Sequence, residues 1–206
     1  MPKIYPHYLI VLVFSLLVGA CSDKGSTDTV CSDTNYPAAE TSKFLLPFPV
    51  GKSYKLRQSN CGSITHTGAL TYAYDFFMDV GETVTATRAG VVIFVKEDYP
   101  DGPGPNEQAN FLVIKHDDNT ISRYRHLKNN GVLVEVDDVV SAGQEIALSG
   151  NSGVPAGIAN LHFDVMGPNS DGSYNQTIPV TFKNADPPAP TKTGLDEGVT
   201  YTALAY

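Results

Sequence analysis

Residues 111–127, FLVIKHDDNTISRYRHL, contain two runs of strand length separated by a turn. The runs Phe111–His116 and Ser122–Leu127 are rich in β-branched and aromatic residues, which favour strands. Four of the five residues between them, Asp, Asp, Asn and Thr at 117–120, favour a turn because their side chains hydrogen-bond to nearby backbone. This stretch therefore predicts two neighbouring β-strands and no helix.

The rest of the chain repeats the pattern of short strand and turn. Segments rich in Gly, Pro, Asn and Asp at 98–110, 128–131 and 150–157 predict loops, and no amphipathic helical period appears. The fold class that follows is mainly β, an antiparallel sandwich or barrel-like core with few or no helices. Further strands are expected at Thr83–Ala86, Gly90–Lys96, Val132–Val136, Glu145–Ser149, Leu161–Val165 and Thr177–Phe182.

The charge of the chain excludes one class of partner. The formal net charge is −8, whereas a nucleic-acid-binding surface needs a basic face that displaces counterions. We therefore expect no nucleic-acid partner.

The first residues have the features of a targeting segment. Lys3 precedes the apolar run Leu9–Ala20, which is shorter than the roughly 20 residues needed to span a bilayer but suits a secretory signal. The sequence LLVGAC ends at Cys21 and resembles a lipobox, which implies lipidation of Cys21. Ser22 after it points to the outer membrane, facing the periplasm. An ordinary signal peptide with a nearby cysteine is the alternative.

The chain divides into four expected parts: a lipoprotein signal peptide (1–20), a flexible tether (21–43), a β domain (44–183) and an extended C-terminal strap (184–206). If Cys21 carries lipid, Cys31 and Cys61 are left as an even pair in an oxidising compartment. A Cys31–Cys61 disulfide is expected, and two free thiols are the alternative.

Four ordered blocks carry a family resemblance: YAYDFFMDVGETVTATRAGVV (72–92), the opening stretch (111–127), GVLVEVDDVVSAGQEIALSGNSG (131–153) and NLHFDV (160–165). Together they resemble the LytM/lysostaphin-type zinc metallopeptidases, over a region from about His66 to Val165. The resemblance implies the β fold of that peptidase domain. It also implies a zinc-dependent endopeptidase that cuts peptide cross-links of bacterial peptidoglycan.

The resemblance also implies three ligands for one Zn²⁺ per chain, from an H-x-x-x-D and an H-x-H motif. Asp75 fits the carboxylate, because Gly81 and Val84 follow at the family's offsets. The position four residues before it is Thr71, so the implied first ligand is His66, nine residues upstream, brought into place by a longer loop.

The third implied ligand is His162, inside the apolar strand ANLHFDV. Strand alternation places His162 on one face with Asn160 and Asp164, opposite Leu161 and Phe163. A hydrogen-bonded core histidine is the alternative to a ligand.

The implied catalytic pair is His126 and the residue at 160, where the family pattern has a histidine and this chain has Asn160. An amide donates a hydrogen bond to an oxyanion but does not exchange a proton near neutral pH. On alternation His126 is expected to face the same way as Tyr124, with a packed structural histidine as the alternative. His116, at a strand end, is expected to be structural.

Three functions therefore stay open. The first is a zinc endopeptidase of reduced activity. The second is a catalytically impaired module that binds cell wall or a protein partner in the envelope and regulates other hydrolases. The third is a lipoyl-like scaffold. The substrate groove is expected between the loops 98–110, 128–131 and 150–158, where Gly150 and Gly153 either admit a substrate backbone or shape a turn.

Overall fold

The computed structural model describes residues 35–62, 64–190 and 194–206. This part of the chain is mainly antiparallel β, and its helices are three 3-10 turns at Ala39–Thr41, Gly68–Leu70 and Asn106–Gln108, which confirms the expected fold class. Its strands are β1 (Ser53–Gln58), β2 (Tyr74–Phe76), β3 (Thr83–Thr85), β4 (Gly90–Lys96), β5 (Phe111–Lys115), β6 (Ile121–Arg125), β7 (Leu127–Val132), β8 (Val139–Val140), β9 (Glu145–Ser149), β10 (Leu161–Met166), β11 (Ala185–Asp186) and β12 (Thr200–Ala203).

Two sheets form from these strands. The larger has nine strands in the order β11-β12-β1-β2-β10-β6-β5-β4-β8, and the smaller has three in the order β3-β9-β7. All of these strand pairings are antiparallel. The strand β10 lies at the centre of the larger sheet, between β2 and β6.

One face of the larger sheet is the core. Tyr74, Phe163, Tyr124 and Leu112 are cross-strand partners on β2, β10, β6 and β5, and all four are fully buried. Burial of such a side chain stabilises the fold by roughly 1.5–3 kcal/mol. This apolar row fixes the register of the four strands, and it turns the alternate residues of the same strands to the opposite face.

The strands β1, β2, β8, β11 and β12 were not expected from the sequence, and the expected strand Ser122–Leu127 is interrupted at His126. Other expected segments also differ from the observed ones. The segment predicted as Val132–Val136 is wrong beyond Val132, because a turn follows in which the backbone N–H of Glu135 donates to Asp138 Oδ2. The expected loop 128–131 lies instead inside β7. The segment Thr177–Phe182 makes isolated bridges only at its two ends.

The domain is wider than its expected limits of 44 and 183. Tyr36 and Ser42, in the predicted tether, are buried, and the Ser42 hydroxyl donates to the carbonyl of Thr181. The predicted C-terminal strap supplies β11 and β12, and β12 pairs with β1 and buries Tyr201 in the core. The expectation of a surface strap is therefore wrong for these residues.

Several predictions fall on residues that the structure does not describe. The signal segment 1–20, Cys21 and Cys31 lie outside the described ranges. Cys61 is disulfide-bonded, and its pairing with Cys31 stays a prediction. None of the helices within the described ranges has the length and apolar character to cross a membrane.

Candidate metal centre

Asp75 and His162 come from two neighbouring strands of the larger sheet. They are direct cross-strand partners on β2 and β10, on the face opposite the core row. Cross-strand partners project to the same side about 5 Å apart, and here His162 Nδ1 lies 2.8 Å from Asp75 Oδ1. The expected alternation holds for β10, since Leu161 and Phe163 are in the core.

His66 reaches the same point from the loop between β1 and β2. Its ring is fully buried, and its Nδ1 lies 2.8 Å from the carbonyl oxygen of Ser59, to which it donates a hydrogen bond. The buried Gln58 side chain supports this loop: with its amide turned to satisfy its neighbours, its oxygen accepts from the backbone N–H groups of Thr65 and His66 at 3.1 and 2.9 Å. The longer loop thus brings a histidine nine residues upstream of Asp75 beside that carboxylate.

The three side chains meet at one point. Asp75 Oδ1 lies 3.2 Å from His66 Nε2, and one ligand atom from each of His66, Asp75 and His162 lies within 4.8 Å of the others. In a tetrahedral zinc site with bonds near 2.0–2.1 Å, ligand atoms are about 3.3 Å apart. Two imidazole nitrogens and a carboxylate oxygen also match the donor set of catalytic zinc sites, which keep a fourth position open.

One buried nitrogen in this cluster has no hydrogen-bond partner among the residues that the structure describes. His66 Nε2 lies near Asp75 Oδ1 but makes no hydrogen bond with acceptable geometry. A buried polar atom without a partner costs free energy, so its presence needs a reason. A cation bound at the centre of the cluster supplies a partner for this nitrogen.

Both histidines are oriented by hydrogen bonds on their outer nitrogens. His162 Nε2 lies 3.1 Å from Asp164 Oδ2, and Asp164 is in turn held by the two nitrogens of Arg123, each at 2.8 Å. Such outer partners fix the tautomer and ring orientation of metal-binding histidines. Strand alternation predicted the correct face for Asp164, but no motif in the sequence indicated a role for Asp164 or Arg123. Asp164 and Arg123 are cross-strand partners of opposite charge on β10 and β6. Their opposite charges on two predicted strands were the signal that the sequence offered.

The electrostatics of the cluster favour a positive charge at its centre. Burial alone would raise the pKa of Asp75, but the hydrogen bond from His162 and the close approach of the His66 ring outweigh it and hold that pKa far below its usual range. Burial lowers the pKa of His162, yet the hydrogen bonds to Asp164 and Asp75 overcome it and raise that pKa to about 9. The carboxylate is therefore ionised and is stabilised by a cationic neighbour.

His126 lies between β6 and β7 and faces this cluster. Its backbone φ is +63°, in the left-handed region that non-glycine residues rarely adopt. This conformation interrupts the strand alternation, so the expectation that His126 faces the same way as Tyr124 is wrong: Tyr124 is in the core, while the His126 ring lies 6.1 Å from that of His162. Burial, and then the charge of His162, lower the pKa of His126 to about 4.

Asn160 immediately precedes β10 and lines the same groove. Its backbone N–H donates to the carbonyl of Gly150 at 3.3 Å. Its side-chain Oδ1 is buried and has no hydrogen-bond partner in the part of the chain that the structure describes. The structure therefore brings Asn160, His126 and the three-residue cluster together in one place.

A groove of about 330 Å³ opens over the cluster. Its walls come from the expected loops 98–110 and 150–158 and from the segment 64–70, which the sequence analysis missed; the expected wall 128–131 is part of β7 instead. The lining residues are Arg57, Gln58, Ile64, Thr65, Leu70, Asp75, Asn106, Arg125, His126, Val154, Pro155, Ala156, Asn160 and His162.

Gly150 and Gly153 of the 150–158 loop serve its packing. A Cβ at Gly150 would lie 2.5 Å from the backbone nitrogen of Lys128, and one at Gly153, where φ is +66°, would lie 2.5 Å from that of Ala109. Because both clashes are with backbone, only glycine fits there. The turn-shaping alternative is therefore the one that the contacts support.

His116 lies apart from this site. It is buried between Ala89, whose carbonyl accepts from Nδ1 at 2.9 Å, and Ser122, whose hydroxyl lies 2.7 Å from Nε2. With both ring nitrogens hydrogen-bonded to the fold, its role is structural.

Comparisons with known proteins identify similarity to peptidases. The sequence profile of Peptidase family M23 matches residues 69–175, just over half of the chain. The match contains Asp75, His126, Asn160 and His162 and begins three residues after His66.

Among curated relatives, Peptidoglycan DD-endopeptidase ShyA of Vibrio cholerae is 35% identical over 92 residues, which are 45% of this chain and 19% of the relative. Murein hydrolase activator NlpD of Escherichia coli is 33% identical over 85 residues, 41% of this chain and 20% of the relative. The chain thus spans about a third or less of the curated relatives it matches. A solved zinc containing peptidase from Vibrio cholerae is 28% identical, with a TM-score of 0.44 over 66% of this chain and 39% of that chain.

Proposed function

The chain belongs to peptidase family M23, and from this premise we propose that it is a zinc-dependent endopeptidase of reduced activity that cuts peptide cross-links of peptidoglycan at the cell envelope. The observation that carries the proposal is the meeting of His66, Asp75 and His162 at one point below an open groove.

In this proposal the three residues hold one Zn²⁺ per chain, through His66 Nε2, Asp75 Oδ1 and His162 Nδ1. The donor set and the buried, unpartnered His66 Nε2 both fit such an ion. When bound, zinc in a three-ligand site activates water and polarises a carbonyl group. The groove above the cluster accommodates an extended peptide segment.

His126 handles the proton in this proposal. Its Nδ1–H donates to the carbonyl of Ser152 at 2.8 Å, which fixes the tautomer and leaves the lone pair of Nε2 for the groove. Its lowered pKa keeps the ring neutral at physiological pH, so that it is able to accept a proton.

Asn160 explains why we propose reduced activity. Its side-chain amide is able to donate a hydrogen bond to the oxyanion that develops on the substrate. It does not take up a proton near neutral pH, and a positioned acid–base group is typically worth about 10²–10⁴ in rate. The substitution therefore affects turnover more than metal binding.

Location and partners follow from the same proposal. The lipobox-like sequence that ends at Cys21 would anchor the protein in the outer membrane, facing the periplasm. Relatives of the matched region include Outer membrane antigenic lipoprotein B of Haemophilus influenzae. The substrate would then be the peptide part of the cell wall.

A regulator without turnover is the second candidate, and Asn160 is the observation that favours it. One relative is named as a murein hydrolase activator, and a site that retains a cation but lacks a proton-handling partner suits a module that binds cell wall or an envelope protein. In this case the groove binds without cleaving.

One experiment separates the two candidates. The zinc content of the purified protein is measured first, followed by dye release from cross-linked sacculi with and without a chelator. Chelator-sensitive release supports the endopeptidase. One zinc per chain without release supports the regulator, and the absence of bound zinc contradicts the proposed site.

A further inference from the structure

Arg125 occupies a defined place in the row of side chains that begins at the candidate metal centre. On the larger sheet Asp75 pairs with His162, His162 with Arg125, and Arg125 with Phe111. Cross-strand partners project to the same face, and neighbouring strands are about 4.8 Å apart. The Arg125 side chain therefore starts one strand away from His162, on the site face, and it lines the groove.

Most hydrogen-bond donors of the Arg125 side chain have no partner among the residues that the structure describes. Its Nη2 donates to the carbonyl of Asn106 at 3.3 Å, and its guanidinium carbon lies 5.8 Å from the centre of the Phe111 ring. It forms no ion pair with any carboxylate in the described ranges, whereas Arg123, two residues earlier, donates from both Nε and Nη2 to Asp164. A guanidinium has five N–H donors arranged as a fork.

The charge of the groove points to an anionic ligand. Among the described residues its lining holds two guanidiniums, Arg57 and Arg125, and one carboxylate, Asp75, whose Oδ2 lies 3.9 Å from Arg57 Nη1, although the whole chain carries a net charge of −8. Asp75 is also the residue that a bound cation would neutralise. A groove that is locally positive on an acidic protein attracts negative groups.

We propose that Arg125 selects peptides that carry a free carboxylate beside the scissile bond, as a specificity-determining residue of the groove. This inference rests on the proposed function, because the anionic groups of a peptide substrate are carboxylates. The planar fork of arginine matches a carboxylate with two parallel hydrogen bonds, which a lysine cannot reproduce. The half-buried setting over Phe111 limits screening by water.

The competing explanation is that Arg125 only supports the groove wall, through its contact with Asn106. If the role is structural, replacing Arg125 should change kcat/KM by the same factor for all peptides. A specificity role predicts a loss confined to charged peptides, so the readout is a ratio between matched substrates.

The test uses the zinc-loaded full chain and pairs of quenched fluorogenic alanine–glycine peptides. The members of a pair differ only in Glu or Gln at one position on either side of the central bond. Wild type should favour one Glu peptide over its Gln partner by roughly 10- to 100-fold in kcat/KM, as expected for a charged hydrogen bond. Arg125→Gln should bring the ratio close to one, and Arg125→Lys should restore it only in part.

Lys115→Gln is the matched control. It removes the same charge from an exposed position on β5 that does not line the groove, and it should keep the wild-type ratio. Thermal melts of each variant verify folding, and Arg125→Lys preserves the charge if Arg125→Gln proves unstable.

Failure of this inference is distinct from failure of the proposed function. If no peptide is cleaved, the same pairs are tested for binding by fluorescence anisotropy, where the Glu preference and its loss in Arg125→Gln still apply. The inference would be overturned if wild type cleaved or bound the Glu and Gln members of every pair equally, or if it bound none of them detectably. It would also be overturned if Arg125→Gln kept the Glu-to-Gln ratio of wild type.

Discussion

His162 is held between two carboxylates: its Nδ1 lies 2.8 Å from Asp75 Oδ1 and its Nε2 lies 3.1 Å from Asp164 Oδ2. The two contacts use opposite nitrogens of one ring. Asp164 is fully buried and is also bound by Arg123 through two hydrogen bonds. The nitrogen that faces the candidate metal centre is therefore positioned by a carboxylate that does not itself contact the centre.

Replacing Asp164 by Asn should weaken zinc binding. The amide is nearly the same size, but it no longer provides a negative acceptor for His162 Nε2–H and it leaves Arg123 without its ion pair. Loss of such an outer partner typically lowers metal affinity about 10- to 100-fold. Competition with a fluorescent chelator measures the change.

The control for Asp164 is Asp171→Asn, which removes a carboxylate from an exposed loop. This variant should bind zinc like wild type. Unchanged zinc affinity in a folded Asp164→Asn protein would mean that His162 is not a ligand through Nδ1.

Replacing His126 by Ala should abolish most hydrolysis while one zinc per chain is retained. The side chain lines the groove and is anchored through Ser152, but it is not one of the three clustered donors. Loss of a general base typically costs about 10²–10⁴ in rate. Zinc content and peptide hydrolysis are measured on the same preparation, and the idea fails if hydrolysis persists or if zinc is lost with it.

Replacing Asn160 by His should raise hydrolysis, because it restores a group able to exchange a proton beside His126. Asn160→Ala serves as the comparison: it removes the amide without adding an acid–base group, and its rate should fall below that of wild type. Initial rates on purified peptidoglycan, with zinc still at one per chain, give the result. If the hydrolysis rate of Asn160→His is no higher than that of wild type, the proton is transferred by a group other than the residue at position 160.

The sequence predicted β4, β5, β6, β9 and β10, but it did not predict β2, which carries Asp75, or the strands β1, β11 and β12 at the other end of the larger sheet. The patterns around β5, β9 and β10 are β-branched and apolar because most residues of these strands are buried, and β4 has the same pattern although only Val92 of it is buried. In contrast, β1 has the sequence SYKLRQ, in which only Tyr54 and Leu56 are apolar, so its strand signal is weak, and its place is set by pairing with β12 far along the chain. Long-range pairing of this kind is invisible to local periodicity.

In the candidate site, too, some features follow from the local sequence pattern and others only from the fold. Alternation correctly put His162 and Asp164 on one face, but it failed for His126, where a single left-handed residue reverses the side-chain direction. That His66 lies beside Asp75 depends on how a loop folds around Gln58, and composition carries no signal for this contact.

The buried His116 should make the protein less stable in mild acid. Burial lowers its pKa below the ordinary 6.5, and the charge of Arg88 acts in the same direction, against the Ala89 hydrogen bond and the carboxylates of Asp118 and Asp117. Below pH 6.5 the unfolded chain therefore binds a proton that the folded chain resists. The free energy of unfolding should fall as the pH drops through that value, by at most about 1.4 kcal/mol per pH unit for one proton.

His116→Asn isolates this contribution, because an amide nitrogen is able to donate to the Ala89 carbonyl without titrating. Urea unfolding of wild type and variant between pH 8 and pH 5, at equal zinc occupancy, gives the two pH slopes. His66, His126 and His162 are present in both proteins, so their effects largely cancel in the difference. The variant should show the flatter slope below pH 6.5, and identical slopes would mean that His116 gains its proton without opposing the fold.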